Sequence, residues 1–303
     1  MKLQDLHVLM VVVQSGSMGK AAERLHTSQP AVSRSIAALE HAIGVRLLER
    51  TANGVEPTKY GRALLDGGVA VFDDLQQAVR KIEFLADPAA GSLRVGSTVF
   101  TASSFVSTVI DRILQRHPKM TFDLVTGAWE GLHRELRDRK VDLLVTRKFG
   151  PNPDDRLDFE FLFDDAFVVA AGTRSPWSRR RRIQLRELAN ELWVLPPPES
   201  AISPIAMQAF AASGLDYPKA AVVTLTPEVR MSLVATGRFL TIFPASTMAF
   251  SDRGAEIKVL PVDLPVPRVP TGIVTLKNRS LNPVAKVFID TAREVAKAVR
   301  RNR

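Results

Sequence analysis

The 303-residue chain contains no cysteine. That removes disulfides, thiolate metal sites and cysteine nucleophiles together, and it fits a reducing compartment. Histidine is scarce and limited to His7, His26, His41, His117 and His133. No two of them form a His-x-x-x-His pair, and neither a G-x-S-x-G elbow nor a phosphate-cradling glycine loop is present. The sequence thus offers no catalytic residue and no metal ligand set, so neither an enzyme nor a metal cofactor is expected. No apolar run reaches the roughly 18 residues of a membrane-spanning helix, so no membrane partner is expected. The N-terminal apolar stretch follows Asp5 and His7 and lacks a small-residue cleavage site, which argues against a signal peptide and for the cytoplasm.

What is present is the composition of a globular protein, with 46% hydrophobic and 24% charged residues. The length predicts two or three domains. A net charge of +9 suggests a nucleic-acid partner. However, residues 1–87 hold ten basic and ten acidic side chains, so the surplus lies wholly in 88–303. Much of it comes from Arg174 with Arg179–Arg182 and from the tail with Lys297, Arg300, Arg301 and Arg303. The case for DNA therefore rests on local placement rather than overall charge.

The first 58 residues read as three helices and a hairpin. Leu3, Leu6, Leu9, Met10 and Val13 mark a helix over 3–14, ended by Gly16. Ser17 can cap a short helix over about 18–25, and Ser28 a third that Gly44 stops. Pro30 is tolerated in the first turn, where the amides have no intrahelical acceptor. Asn53-Gly54 is a two-residue hairpin signal, and Thr58 can cap the helix that follows.

The third helix restricts both of its faces. Stepping 100° per residue from Val32 brings Ile36, Leu39 and Ile43 onto one side. Pro30, Arg34, Ala37 and His41 fall opposite, with Ser33 flanking. A thin polar stripe of this kind fits the DNA major groove, about 12 Å wide. There Arg34 can pair with guanine, Gln29 with adenine, and Pro30 can pack on a thymine methyl. The free amides near Ser28 suit a phosphate. Taken alone, the helix is equally an ordinary amphipathic one with a solvated face. Followed by a hairpin carrying Arg50, Thr51 and Asn53, it reads as a winged helix-turn-helix.

From residue 59 to 86 the pattern is one long helix. Leu65, Gly68, Phe72, Leu75, Val79, Ile82 and Ala86 form a heptad seam, which predicts pairing with a second copy. Gly68 on that seam would allow a partner helix close approach. The alternative is a helix packed on its own domain. The stretch 87–91 (DPAAG) reads as a hinge.

Beyond it, strands at 93–95, 120–125 and 141–146 alternate with helices over 104–116 and 130–139, a βαβαβ order that favours a parallel sheet. A second set has strands near 166–171, 192–195, 221–225 and 239–243, and helices near 203–213 and 227–236. A strand at 271–276 and a helix at 283–300 are expected to return to the first set. This predicts an α/β unit of two lobes, the first from 92–163 and 268–303, the second from 164–267, with a ligand cleft between them.

The segment Gly16–Leu65, GSMGKAAERLHTSQPAVSRSIAALEHAIGVRLLERTANGVEPTKYGRALL, resembles the DNA-binding region of the LysR-type transcriptional regulators. The resemblance rests on Ala-Ala-Glu-Arg-Leu, Ser-Gln-Pro-Ala-Val-Ser, Leu-Glu, Ile43-Gly44, Leu-x-Glu-Arg and Thr-x-x-Gly. It extends in architecture to the rest of the chain: a dimerising helix, a hinge and a two-lobed domain like periplasmic binding proteins. Two departures stand out. Met18-Gly19-Lys20 replaces the family's usual Phe-Thr-x, and Ser107 stands where proline is frequent.

The resemblance implies a ligand-responsive regulator that binds double-stranded promoter DNA at a pseudo-palindromic site, as a dimer or tetramer, in the bacterial nucleoid. It places base contacts on Gln29, Pro30, Ser33 and Arg34, and backbone contacts on Arg50 and Thr51. Ser28 is primarily a cap, with a phosphate contact as its second role. The effector, with an organic anion suggested by Arg147, is expected between the lobes near Thr98, Thr101, Arg147, Ser200 and Thr226. Each of these five also has a plain reading as a helix cap or turn residue. Arg179–Arg182 reads either as a solvated loop or as a surface for an acidic partner such as RNA polymerase. A solute-binding module without DNA regulation is the competing function, and such a module would need no winged helix.

Overall fold

A computed structural model describes residues 1–51, 54–150, 154–250 and 256–301. The chain divides into two compact units, 1–79 and 80–303.

In the first unit, α1 (Leu3–Ser15), α2 (Met18–Arg24) and α3 (Gln29–Ile43) precede a hairpin of β1 (Leu48–Thr51) and β2 (Gly54–Pro57). The expected caps are in place. Gly16 and Gly44 adopt left-handed geometry, the Ser17 hydroxyl accepts from the Lys20 amide, and the Ser28 hydroxyl accepts from the Ala31 amide. Each serine cap stabilises its helix by about 1 kcal/mol. Val32, Ile36 and Leu39 of α3 are buried against Leu6, Leu9 and Val12 of α1 and Ala21 and Ala22 of α2. Burying each large aliphatic residue contributes roughly 1.5–3 kcal/mol. Ile43, expected on this face, is instead 40% exposed. The helix ends at that residue, and Leu47, 1% exposed, fills the core beyond the end. Asn53 of the hairpin signal lies outside the described residues, but β1 and β2 pair antiparallel around it, with Thr51 opposite Gly54.

The long helix α4 (Lys59–Ala86) begins where the Thr58 hydroxyl accepts from the Gly61 amide. Its seam divides in two. Leu64, Leu65 and Phe72 pack on the core of the first unit. A Cβ on Gly68 would lie 3.0 Å from Leu6, so the close approach at this glycine is made by α1 of the same chain rather than by a partner helix. Farther along, Val71, Leu75, Val79, Ile82 and Leu85 are 42–71% exposed.

The second unit holds two sheets. In lobe I, β3 (Ala90–Ser97) is followed by a continuous helical run of α5 (Val99–Thr101), a π-helical turn (Ala102–Val106) and α6 (Ser107–Arg116). Next come β4 (Lys119–Thr126), α7 (Trp129–Arg137), β5 (Leu143–Arg147) and β6 (Leu157–Asp165). Lobe II contains β7 (Phe167–Gly172), β8 (Leu192–Leu195), α8 (Ser203–Ala212), β9 (Val222–Val223), α9 (Pro227–Ala235), β10 (Phe239–Pro244), α10 (Ala245–Ala249) and β11 (Ile257–Val259). The chain then returns through β12 (Val269–Leu276) and α11 (Pro283–Arg301).

The lobe I sheet has the order β4-β3-β5-β12-β6, and the lobe II sheet the order β11-β7-β10-β8-β9. The β4-β3-β5 part is parallel, as the βαβαβ order predicts, and β12 joins it antiparallel beside β5. Strands β6 and β11 and helix α10 are absent from the sequence expectation. The expected hinge at 87–91 is shorter, because Ala90 and Gly91 already belong to β3. Strand β6 runs to Asp165, past the expected boundary at 163, so the first crossing between lobes falls at Ala166. The helix expected from 104 begins at Val99. Phe100, Thr101 and Ala102 are buried there, and their close packing breaks the spacing that would have marked the helix start.

Candidate nucleic-acid interface and effector cleft

The exposed face of α3 is held by three polar ties made elsewhere in the first unit. The Ser35 hydroxyl donates to Asp5 of α1 at 2.6 Å. The Glu40 carboxylate accepts from the Leu47 and Leu48 amides at 2.7 and 3.2 Å, which fixes the start of the hairpin to the third helix. The Val55 amide donates to the Gly16 carbonyl at 2.9 Å, docking the hairpin on the end of α1. A Cβ at Gly54 would lie 2.4 Å from that carbonyl, and φ is +126° there, so only glycine fits. His26, at φ 51°, makes the tight turn from α2 to α3.

These ties leave Ser28, Gln29, Pro30, Ser33 and Arg34 exposed on one edge of α3, with Arg50 and Thr51 exposed on β1. Arg34 and Arg50 have no ion pair among the described residues, so their charges are available to a phosphate or base edge. The Thr51 hydroxyl donates to Glu56 across the hairpin at 3.2 Å, which makes it a structural contact as well as an expected DNA contact. Glu40 is not among the residues expected from the sequence, although its place in Leu39-Glu40 marks it.

In the second unit, three of the five expected effector residues come together. The Thr98 and Thr101 hydroxyls lie 3.0 Å apart at the start of α5, and Arg147, at the end of β5, donates to Thr101 at 3.0 Å. Ser200 and Thr226 are not joined to this group. Ser200 donates to Ser203 at 3.4 Å, and Thr226 is the exposed residue before α9.

Arg147 does not present a free charge. It is 5% exposed and donates from Nε and Nη2 to Asp165, at 3.0 and 2.7 Å, and from Nη2 to Ser246 at 3.2 Å. Ser246, in α10 of lobe II, donates its hydroxyl and its backbone amide to Asp165 at 2.6 and 3.0 Å. The expected carboxylate partner of Arg147 is therefore supplied by the protein. Asp165 and Ser246 escape a sequence reading because they are distant in the chain.

A second buried arginine, equally unexpected, behaves differently. Arg230 of α9 is fully buried, donates to the Thr241 hydroxyl and the Ile242 carbonyl, and has no carboxylate partner among the described residues. Its guanidinium lies over the rings of Phe100 and Phe243, at 5.1 and 4.8 Å. Burial lowers its pKa to about 9. The sequence holds a signal, since Pro227, Arg230, Met231 and Val234 share one helical face, which marks Arg230 as inward-facing.

Lobe I contains a third ionic cluster. Buried Asp142 accepts from Arg94 and Arg279, each at 2.9 Å, and from Arg80 at 3.4 Å. Burial works against the Asp142 carboxylate. Even so, the bonds from the Arg94 side chain and backbone, with the charges of Arg94 and Arg279, hold its pKa below the ordinary carboxylate value.

The bacterial regulatory helix-turn-helix family of lysR type matches residues 3–62, and the LysR substrate binding domain family matches 86–297. Among curated relatives, the transcriptional dual regulator GltC of Bacillus subtilis is 27% identical, covering 96% of each chain. The regulator CbbR of Xanthobacter flavus is 28% identical over 95% of this chain and 86% of its own. A single-site variant of full-length OxyR from Pseudomonas aeruginosa shares the fold with a TM-score of 0.67 at 23% identity, covering 98% and 97% of the two chains. Full-length CbnR, solved with its target DNA, shares it at 0.55 and 23%, covering 98% and 100%. No described helix is long and apolar enough to cross a membrane. With a winged helix-turn-helix ahead of a two-lobed α/β unit, and both matched by family, the chain belongs to the LysR-type DNA-binding transcriptional regulators.

Proposed function

We propose that this regulator reads a pseudo-palindromic promoter site in the bacterial cytoplasm through the first turns of α3, in response to a small organic effector held between its lobes. Gln29, Pro30, Ser33 and Arg34 meet base edges, and Arg50 and Thr51 meet the backbone, while Ser28 offers the helix start to a phosphate. The chain has no enzymatic role in this reading. The observation that carries it is the unpaired, exposed Arg34 on a helix edge kept thin by Ser33 and Ala37.

The exposed stripe of Val71, Leu75, Val79, Ile82 and Leu85 on α4 supports pairing with a second copy, which would hold two winged helices at a fixed separation. Two such dimers assemble into a tetramer. Effector binding changes the lobe geometry and with it the spacing of the DNA-binding pairs. Arg179–Arg182 are all exposed, and Arg180 pairs with Glu187 at 3.2 Å, which favours a solvated segment over a polymerase contact.

Selection from a random duplex library with the full-length protein tests this reading. Recovery of paired half-sites spaced by about one helical turn supports it. No enrichment over random competitor at low salt, from protein shown to be dimeric, would sink it.

A further inference from the structure

A lone buried guanidinium is costly to maintain, because desolvation is not repaid without an anion. Arg147 meets that demand with Asp165, whereas Arg230 has no such partner among the described residues. Among the described residues, its Nη1 is buried without a hydrogen-bond partner, and so is the hydroxyl of Tyr217. The two groups are electrostatic neighbours, with Ser203 of α8 also close to the phenol. The Ser203 hydroxyl gives its own proton to the Pro197 carbonyl at 2.7 Å, while its oxygen remains an acceptor that interacts with the Tyr217 phenol. Burial pushes the Tyr217 phenol up, so at neutral pH it remains protonated and a donor. The open Nη1 of Arg230 and the neighbouring Tyr217 phenol, with no counter-charge among the described residues, offer two donors for the two oxygens of a carboxylate, whereas a phosphate dianion would need more donors and more positive charge.

We propose that Arg230 and Tyr217 are the receptor for a carboxylate of the small-molecule effector, and that Arg147 is a closed tie between the lobes rather than an anion site. This rests on the reading of the inter-lobe region as the effector site. The receptor is roofed by Phe100, a lobe I residue next to Thr98 and Thr101, which packs with Phe243, Met231 and Val234 of lobe II. An anion reaching Arg230 must displace that ring. Occupancy of the receptor is thereby coupled to the fit of the two lobes.

The test is calorimetric titration of the full-length protein with acetate and phenylacetate, with their uncharged amides, and with inorganic phosphate. Both carboxylates should bind saturably, and the amides about 100-fold more weakly. R230M should abolish carboxylate binding without lowering the unfolding temperature of the free protein, since it removes an unpaired buried charge. Y217F should weaken binding about tenfold. Carboxylate binding that is unchanged in R230M and Y217F overturns the receptor while leaving the inter-lobe effector site standing. Equal binding of the amides, or binding of phosphate alone, does the same. If none of the probes binds the wild type up to about 10 mM, the receptor falls.

Discussion

The Arg147 guanidinium and the Asp165 carboxylate lie 2.7 Å apart with side chains 4% and 1% exposed, and the bond joins the end of β5 to the last residue of β6. Ser246 of lobe II bonds to both partners, so the pair ties the lobes together as well as balancing its own charge. Replacing either partner leaves the other buried and unpaired. D165N or R147M should each cost about 3–5 kcal/mol, and the double variant R147M/D165L should cost well under their sum. Urea unfolding of all three checks this. Additive losses would show that the two residues act independently.

Arg34 and Arg50 should fail differently. R34A should cost about 1–3 kcal/mol and relax preference at one base position, because a bidentate contact to a base edge is specific. R50A should weaken binding on every sequence and reduce the salt slope by about one, because a phosphate contact releases a counterion regardless of sequence. Fluorescence anisotropy on a set of single-base variants, repeated across salt concentrations, separates the two. A uniform loss from R34A would remove it from base readout.

The outward stripe of α4 should be needed for assembly but not for folding. Leu75 and Ile82 are 49% and 66% exposed in the single chain, so L75E and I82E cost little intrachain packing. In a paired helix the same changes bury charge against charge. Sedimentation velocity should show monomers, and affinity for a two-half-site duplex should fall on the order of 100-fold as the second contact ceases to be intramolecular. A double variant that still sediments as a dimer would place the interface elsewhere.

Lobe I should lose stability in acid through Asp142. Its pKa is depressed in the folded state, so its contribution is complete above the unfolded value of about 3.9 and is lost as pH falls through the lower folded value. The unfolding free energy of the wild type should therefore fall more steeply below about pH 4 than that of D142N. Parallel curves would mean that Asp142 is not the titrating group.

The DNA-binding unit is largely legible in the sequence because its signals are local. The serine caps, the glycine stops and the face of Val32, Ile36 and Leu39 fall within single helices, and each is found as expected. Ile43 and Gly68 depart from expectation for one reason. Their periodicity is right, but what faces them depends on Leu47 and on α1, which spacing cannot supply. The effector region is legible only in part. Thr98, Thr101 and Arg147 come together, while Ser200 and Thr226 stay apart.

The sequence by itself determined the order of most helices and strands, the capped and slender form of α3, and the division into a helical unit and an α/β unit, because periodicity and capping act between neighbours in the chain. Only the tertiary structure decided which buried arginine meets a carboxylate and which meets only neutral acceptors among the described residues. Arg147 finds Asp165 at a separation of 18 residues and Ser246 at 99, while Arg230 is enclosed between two phenylalanine rings without a counter-charge among the described residues. A buried charge is governed by what surrounds it in space, and that is set by the fold rather than by the neighbouring letters.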